Sequence, residues 1–228
     1  MARVKGGILP GVVGKIGPIV VKNRQGTLYV ASRPADFHMS MESEEVEKRN
    51  KFSVNSQFSG LVNENKYLYS IWARSDLTPK MIYNKITHIN FHLCGSGRPT
   101  KNNVITPPGG FPIEVDKLEH YPDKVLAEFQ PVSLNENEER IIFLLYICLY
   151  NPVKPESDYF DFIQIKEGKT ETSGITFKLN PNEQNIAAKY YNQILYLCAV
   201  TLDRNNTVIR HSVTKAVDLG EQIEAEFR

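Results

Sequence analysis

The first 35 residues most constrain what this chain can form, because they combine basic charge with residues that interrupt regular structure. They contain six Lys or Arg, six glycines, three prolines and no acidic residue. Glycine leaves the backbone too free to hold a helix, and proline removes donors from a strand ladder. We therefore expect a basic, glycine-rich arm over residues 1–35, with regular structure confined to residues 18–31. That segment predicts a β-hairpin that turns at Asn23-Arg24-Gln25-Gly26.

The arm also carries apolar side chains that it is too short to bury in a core of its own. We take these as the candidate assembly residues of the chain: Ile8, Leu9, Val12, Val13 and Ile16. They must pack either on the rest of the protein or on a neighbouring copy. The sequence leaves both arrangements open.

Residues 36–95 are expected to form a small helical region. Apolar residues from Val54 to Val62 recur at helical spacing, after an acidic stretch that suits the start of a helix. A short second helix is predicted from Tyr67 to Trp72. Thr78-Pro79 is typical of an N-cap and first-turn proline, and predicts the start of a third helix that ends at Gly95.

The composition then changes to Gly, Ser, Pro, Thr and Asn, which predicts a linker or loop over residues 96–110 and a domain boundary there. Strand patterns separated by turn residues follow at 111–117, 124–130, 140–150, 159–166, 174–179, 193–202 and 207–217. Seven short strands predict an immunoglobulin- or fibronectin-like β-sandwich over residues 111–220, before a C-terminal tail at 221–228. The predicted fold class is α+β.

The longest apolar stretch, residues 141–150, is about half as long as the ~18–20 residues of a membrane-spanning helix, so it predicts a buried strand. The N-terminus lacks the pattern of a secretion signal, so we expect synthesis in the cytoplasm and no membrane contact. The three cysteines, Cys94, Cys148 and Cys198, show no C-x-x-C spacing and predict free, buried thiols. Cys148 and Cys198 are expected in one sheet.

Three short motifs suggest chemistry, but each has a simpler structural explanation. Gly168-Lys169-Thr170 resembles the end of a phosphate-binding loop, yet Ile163 stands where that loop needs a glycine, so we predict a hairpin turn. Gly95-Ser96-Gly97-Arg98 is able to present backbone N–H groups to an anion, but it is also typical of a helix end followed by a loop. His88 and His92 have the spacing of two metal ligands, but no third ligand can be identified. Their position beside the apolar stripe of the predicted helix is also that of polar boundary residues.

The sequence contains no candidate set of catalytic residues. No nucleophile with an aligned base is evident, so we predict no enzymatic activity, no cofactor and no metal site. The net charge of +1 does not predict nucleic-acid binding by the whole chain. The basic arm is able to neutralise phosphates, although Tyr29 is its single aromatic residue for stacking on bases.

The segment KGGILPGVVGKIG, residues 5–17, resembles the opening of an uncharacterised bacterial family of unknown function, whose members begin with a sequence like KGGILGGFSGKVG. The resemblance continues through Ser32-Arg33-Pro34, the Phe111-Pro112-Ile113 strand and Tyr150-Asn151-Pro152 to the closing strands, so it covers nearly the whole chain. Pro10 departs from the pattern, where the family has glycine. The family brings no assigned activity, so the resemblance implies an architecture and no site.

These observations favour a nonenzymatic structural subunit that assembles with copies of itself and with other proteins of a phage virion, phage-like particle or filament. A monomeric module that binds a ligand or protein, at Gly95–Arg98 or at the sandwich loops, is the first alternative. Nucleic-acid binding through the basic arm is the second.

Overall fold

The computed structural model describes residues 2–4, 14–24, 26–32, 40–169 and 173–220. The chain divides into two compact units, Met1–Glu45 and Val46–Arg228. Within the described residues there are four helices and three antiparallel sheets, so the α+β class is confirmed.

The first unit holds a four-stranded antiparallel sheet in the order β1-β4-β3-β2. Its strands are β1 (Ala2–Val4), β2 (Gly14–Ile16), β3 (Ile19–Arg24) and β4 (Thr27–Ser32). The predicted hairpin is confirmed, because β3 and β4 are paired along their whole length. Ile19 lies opposite Ser32 at one end, and Arg24 lies opposite Thr27 at the other.

The prediction that regular structure is confined to residues 18–31 is wrong, since β1 and β2 add a strand to each side of the hairpin. Ile16 pairs with Ile19 across a turn in which Gly17 has φ +55°. A positive φ at the first central position suits a tight hairpin turn, which only glycine adopts easily. Among the described glycines, Gly17 and Gly26 (φ +79°) therefore lie in turns of the sheet instead of preventing one.

Four of the candidate assembly residues, Ile8, Leu9, Val12 and Val13, lie outside the described residues. The fifth, Ile16, ends β2, and its side chain also lies outside what the structure describes.

Three helices occupy residues 43–91, as the sequence predicts, and a fourth lies between strands. The helices are α1 (Ser43–Glu64), α2 (Lys66–Arg74), α3 (Ile82–Phe91) and α4 (Pro181–Ala187). The predicted start of α3 at Thr78-Pro79 is wrong: Met81 is the N-cap, and its carbonyl accepts from Lys85 N–H at 3.0 Å.

The second unit holds two further sheets. Their strands are β5 (Val115–Tyr121), β6 (Lys124–Phe129), β7 (Arg140–Pro152), β8 (Phe160–Lys169), β9 (Gly174–Lys178), β10 (Tyr190–Leu202), β11 (Val208–His211) and β12 (Lys215–Asp218). One sheet has the order β5-β6-β9, and the other has the order β11-β10-β7-β8 with β12 also paired to β10. The last predicted strand is therefore two strands. Gly168 and Lys169 lie within β8, and Thr170 lies outside the described residues. Because β8 and β9 belong to different sheets, the hairpin predicted at Gly168-Lys169-Thr170 is wrong.

Side chains on the two faces of the larger sheet enter two different cores. Alternate residues such as Tyr146 and Tyr196 pack with helix residues, and the ring centroids of Tyr146 and Phe58 in α1 are 5.2 Å apart. The intervening residues, such as Phe143, pack with β5, β6 and β9, and Phe143 stacks on Phe129 at 4.0 Å. Because both faces are covered, β7 is apolar along nearly its whole length, which explains the apolar stretch at 141–150.

The segment predicted as a linker, residues 96–110, is part of the packed structure. Asn103, Ile105 and Thr106 are buried, and the indole N–H of Trp72 donates to the Ile105 carbonyl at 2.9 Å. Glycine, proline and asparagine mark irregular backbone, but irregular backbone can be buried when its polar groups find partners. The helices and both sheets therefore lie in one compact unit, and the expected boundary at residues 96–110 does not divide it.

Candidate functional site

His88 on α3 and His92 at its C-cap, which have the spacing of two metal ligands, are both exposed. The ring of His92 lies edge-on to Phe91, with centroids 5.5 Å apart. Among the residues that the structure describes, no group of three or more His, Cys, Asp or Glu is placed to hold a metal ion.

The Gly95–Arg98 segment lies against Asp218. The Arg98 guanidinium is 3.8 Å from the centre of the Tyr150 ring, and its Nη1 donates to Asp218 Oδ2 at 3.3 Å. Asp218 is buried and also accepts from the Tyr150 hydroxyl at 2.5 Å. Burial and this hydrogen bond raise the pKa of Tyr150. The cation that would attract an anion to this segment is thus already paired with a carboxylate.

A second buried carboxylate, Glu138, binds Arg210 through both of its oxygens. Arg210 Nε lies 2.5 Å from Oε1 and Nη2 lies 2.6 Å from Oε2, while the Thr201 hydroxyl donates to Oε1 at 2.6 Å. The Arg210 hydrogen bond is the main cause that lowers the pKa of Glu138 from 4.5 to about 2. Its pairing with arginine through two hydrogen bonds makes this glutamate a structural anchor between β10 and β11 and not a proton donor.

The three cysteines are free and buried, as the sequence predicts. Cys148 and Cys198 lie on the paired strands β7 and β10. Burial raises the pKa of Cys94 to about 11 and raises the pKa values of Cys148 and Cys198 further. Because the thiolate is the reactive form, none of the three is poised as a nucleophile.

An amide network around Cys94 holds the 96–110 segment to α3. Asn103 donates through its side-chain nitrogen to Asn90 Oδ1 and to Cys94 Sγ, each at 3.0 Å. Asn90 in turn donates to the Val104 carbonyl at 2.9 Å. These polar residues satisfy the buried backbone of the segment, so they have a structural explanation.

Several clefts open between described residues of the second unit, and three of them are considered for binding. One of ≈ 480 Å³ lies beside Leu77, Pro107 and His211, and one of ≈ 700 Å³ lies beside acidic residues that include Glu136 and Asp203. Burial lowers the pKa of His211, whose Nε2 is 3.3 Å from the Pro107 carbonyl. The third cleft, of ≈ 520 Å³, is lined by two cations, Lys66 and Arg140.

The sheet of the first unit presents a different kind of candidate site. Its outer strands, β1 and β2, each pair with one neighbour among the described residues. Strands with one unpaired side leave backbone N–H and C=O groups available to another chain.

Neither a scan with protein-family models nor a search of curated proteins returns a match to this chain. Among the described residues, no helix is long and apolar enough to span a membrane.

Proposed function

We propose that this chain is a nonenzymatic structural subunit that assembles with copies of itself and with other proteins of a phage virion, phage-like particle or filament. The observation that carries the proposal is the small sheet of the first unit, with its unpaired outer strands β1 and β2 among the described residues. An unpaired strand edge binds a further strand through main-chain hydrogen bonds, without requiring a pocket.

The small size of this sheet supports assembly. Val21 is the single buried side chain among those described in the sheet, and Ile19 is 42% exposed. A small sheet needs a buried hydrophobic face to be stable alone, and the side chains described in this one provide little of it. In our proposal, a second copy of the sheet buries the exposed apolar side chains of the first, such as Ile19.

The second unit suits a rigid building block. We interpret its two facing sheets as an immunoglobulin- or fibronectin-like sandwich, in which β5, β6 and β9 correspond to strands A, B and E. β7, β10 and the β11–β12 pair then correspond to strands C, F and G, and β8 adds a strand beside C.

The buried charged residues support a role without catalysis. In the described residues these are Lys85, Glu138 and Asp218. Lys85 Nζ donates to the Trp72 carbonyl at 3.2 Å at the end of α2, and the two carboxylates bind Arg210 and Arg98. Each of these charges therefore serves the packing of the fold.

A proline at the edge of β2 tests the proposal. Because the two-residue turn after Ile16 makes Ile16–Ile19 the hydrogen-bonded pair, the N–H of Lys15 points away from β3, toward the open edge. Lys15→Pro removes that outward donor and keeps the bonds within the sheet. We expect the assemblies of the full chain, measured by analytical ultracentrifugation and electron microscopy, to dissociate in Lys15→Pro.

Lys15→Gln is the matched control, because it removes the same charge but keeps the N–H, and it should assemble normally. A full chain that sediments as a monomer in all three forms would overturn the proposal and favour the ligand-binding module. Assembly that appears only with DNA, and falls steeply with salt, would favour nucleic-acid binding. The assignment to a phage-like particle rests on analogy at the level of fold and is tested by the shape of the particles.

A further inference from the structure

We propose that the cleft between α2 and the start of β7 binds a small oxyanion, a phosphate or carboxylate group. Its volume of ≈ 520 Å³ falls within the range of small-molecule sites. The polar residues that line it come from four separate elements or loops: Lys66, Ser70, Arg140, Glu167, Asn206 and Thr207.

Arg140 is the first residue of β7 and one of the two cations that line this cleft. Its Nε atom is buried and has no hydrogen-bond partner in the part of the chain that the structure describes. A buried N–H without an acceptor is unusual in a folded protein, because the group has lost water without gaining a replacement. The guanidinium offers donors in a planar fork that fits the oxygens of a phosphate or carboxylate.

Lys66 supplies the second positive charge. Its ammonium lies 4.6 Å from the centre of the Tyr67 ring. The Tyr67 side chain and the nearby Glu167 carboxylate raise the pKa of Lys66, so it stays charged at neutral pH. The side chain of Asn65 accepts from the backbone N–H groups of Tyr67 and Leu68, so the ligand would be held by side chains and not by the start of the helix.

The net charge of the residues that line the cleft favours an anionic ligand. Lys66 and Arg140 face a single carboxylate, Glu167, so the lining keeps a net positive charge. Ser70, Asn206 and Thr207 add neutral hydrogen-bond donors.

The loop that carries two of these donors is already ordered. Asp203 Oδ1 accepts from the backbone N–H groups of Asn205 at 2.8 Å and Thr207 at 2.7 Å. Asn206 itself has φ +62°, a conformation that asparagine tolerates better than most residues. The site therefore requires little ordering before a ligand binds.

Titration of the full chain with inorganic phosphate, and separately with acetate, tests the site by calorimetry at constant ionic strength. We expect saturable binding of at least one of the two, and the stronger ligand identifies the class. Arg140→Gln should raise Kd by about tenfold or more, the effect of losing one charged hydrogen-bonding partner. Lys66→Gln should raise Kd less, and Glu167→Gln should lower it because the competing carboxylate is gone.

Arg204→Gln is the matched control, since Arg204 is an exposed arginine in the acidic cleft. It removes the same charge from the chain and should leave Kd unchanged. No saturable binding of either anion, or an equal loss in Arg204→Gln and Arg140→Gln, would overturn the proposal. If Arg140→Gln does not fold, the opposite shifts expected for Lys66→Gln and Glu167→Gln, both at exposed side chains, decide the question.

Discussion

At the scale of single residues, Glu138 couples the stability of this protein to pH. In the folded chain Arg210 and Thr201 bind its ionised form, and its pKa falls from 4.5 to about 2. A group whose pKa is lower in the folded state contributes stability above its unfolded pKa. That stability is lost as pH falls from about 4.5 to about 2.

We therefore expect Glu138→Gln to lower the free energy of unfolding at pH 7 by about 1–3 kcal/mol, the range for hydrogen bonds to a charged group. The variant should also show a flatter loss of stability between pH 5 and pH 2 than the unsubstituted chain. Urea denaturation across this pH range measures both effects. A variant with the same pH profile as the parent would show that Glu138 does not carry this dependence.

Neither buried carboxylate could have been paired with its arginine from the sequence. Glu138 and Arg210 are 72 residues apart, and Arg98 and Asp218 are 120 apart. Local patterns report periodicity and turns, and neither pair lies within one element. The free, buried cysteines were predictable, because their spacing and the apolar strands around them are local features.

At the scale of elements, the close approach of Gly110 to the β11–β12 junction fixes the end of the 96–110 segment. A Cβ atom on Gly110 would lie 2.7 Å from the Ser212 carbonyl oxygen and from the Val213 nitrogen. The next residue holds the two segments together, because Phe111 N–H donates to the His211 carbonyl at 2.9 Å and Val213 N–H donates to the Phe111 carbonyl at 2.9 Å. The obstructing atoms are backbone, so they cannot turn aside.

We expect Gly110→Ala to destabilise the protein by about 1–3 kcal/mol, as overpacking does elsewhere. Gly60→Ala is the control, because Gly60 lies within α1 and an added Cβ would meet nothing within 4 Å. Alanine favours a helix by about 1 kcal/mol over glycine, so this variant should be stabilised. Thermal melts of the two variants should therefore shift in opposite directions, and a neutral Gly110→Ala would contradict the close contact.

Most strands and three helices were predictable because their periodicity is local, but α4 was not. Directly after the predicted strand 174–179, the sequence Asn180-Pro181 is also typical of a turn at the end of a strand. In the structure Asn180 and Glu183 form a capping box, each side chain bonding the other's backbone N–H, and Pro181 begins the helix. The Asn-Pro-x-Glu pattern carries that signal, although a helix of seven residues has too few positions to show periodicity.

At the scale of the whole molecule, the second unit cannot be cut where the composition changes. The larger sheet lies between the helices and the smaller sheet, so its two cores share β7 and β10. A continuous apolar strand such as β7 is typical of a sheet buried on both sides, but the sequence does not say which element provides the second cover. For this reason the sequence predicts a sandwich over residues 111–220 and does not predict that the helices cover one face of its larger sheet.

A fragment of residues 111–220, which the sequence predicts as an independent domain, should therefore fail to fold. Without α1, α2 and α3, one face of the larger sheet would expose side chains that include Tyr146 and Tyr196. We expect the fragment to aggregate or to lack a cooperative melt, whereas residues 40–220 should melt in one transition seen equally in helix and strand signals. A well-folded, monomeric 111–220 fragment would restore the boundary at residues 96–110.

The two-faced sheet also determines how substitutions can accumulate in β7. A change of volume at Tyr146 must be accommodated by Phe58 and its helical neighbours, whereas a change at Phe143 must be accommodated by Phe129. Side chains alternate between the two faces of a strand, so consecutive residues of β7 pack against different elements. A substitution in β7 should therefore be compensated by a substitution in the helices at one position and in the smaller sheet at the next. The two cores can then change in sequence independently of each other, although they share β7.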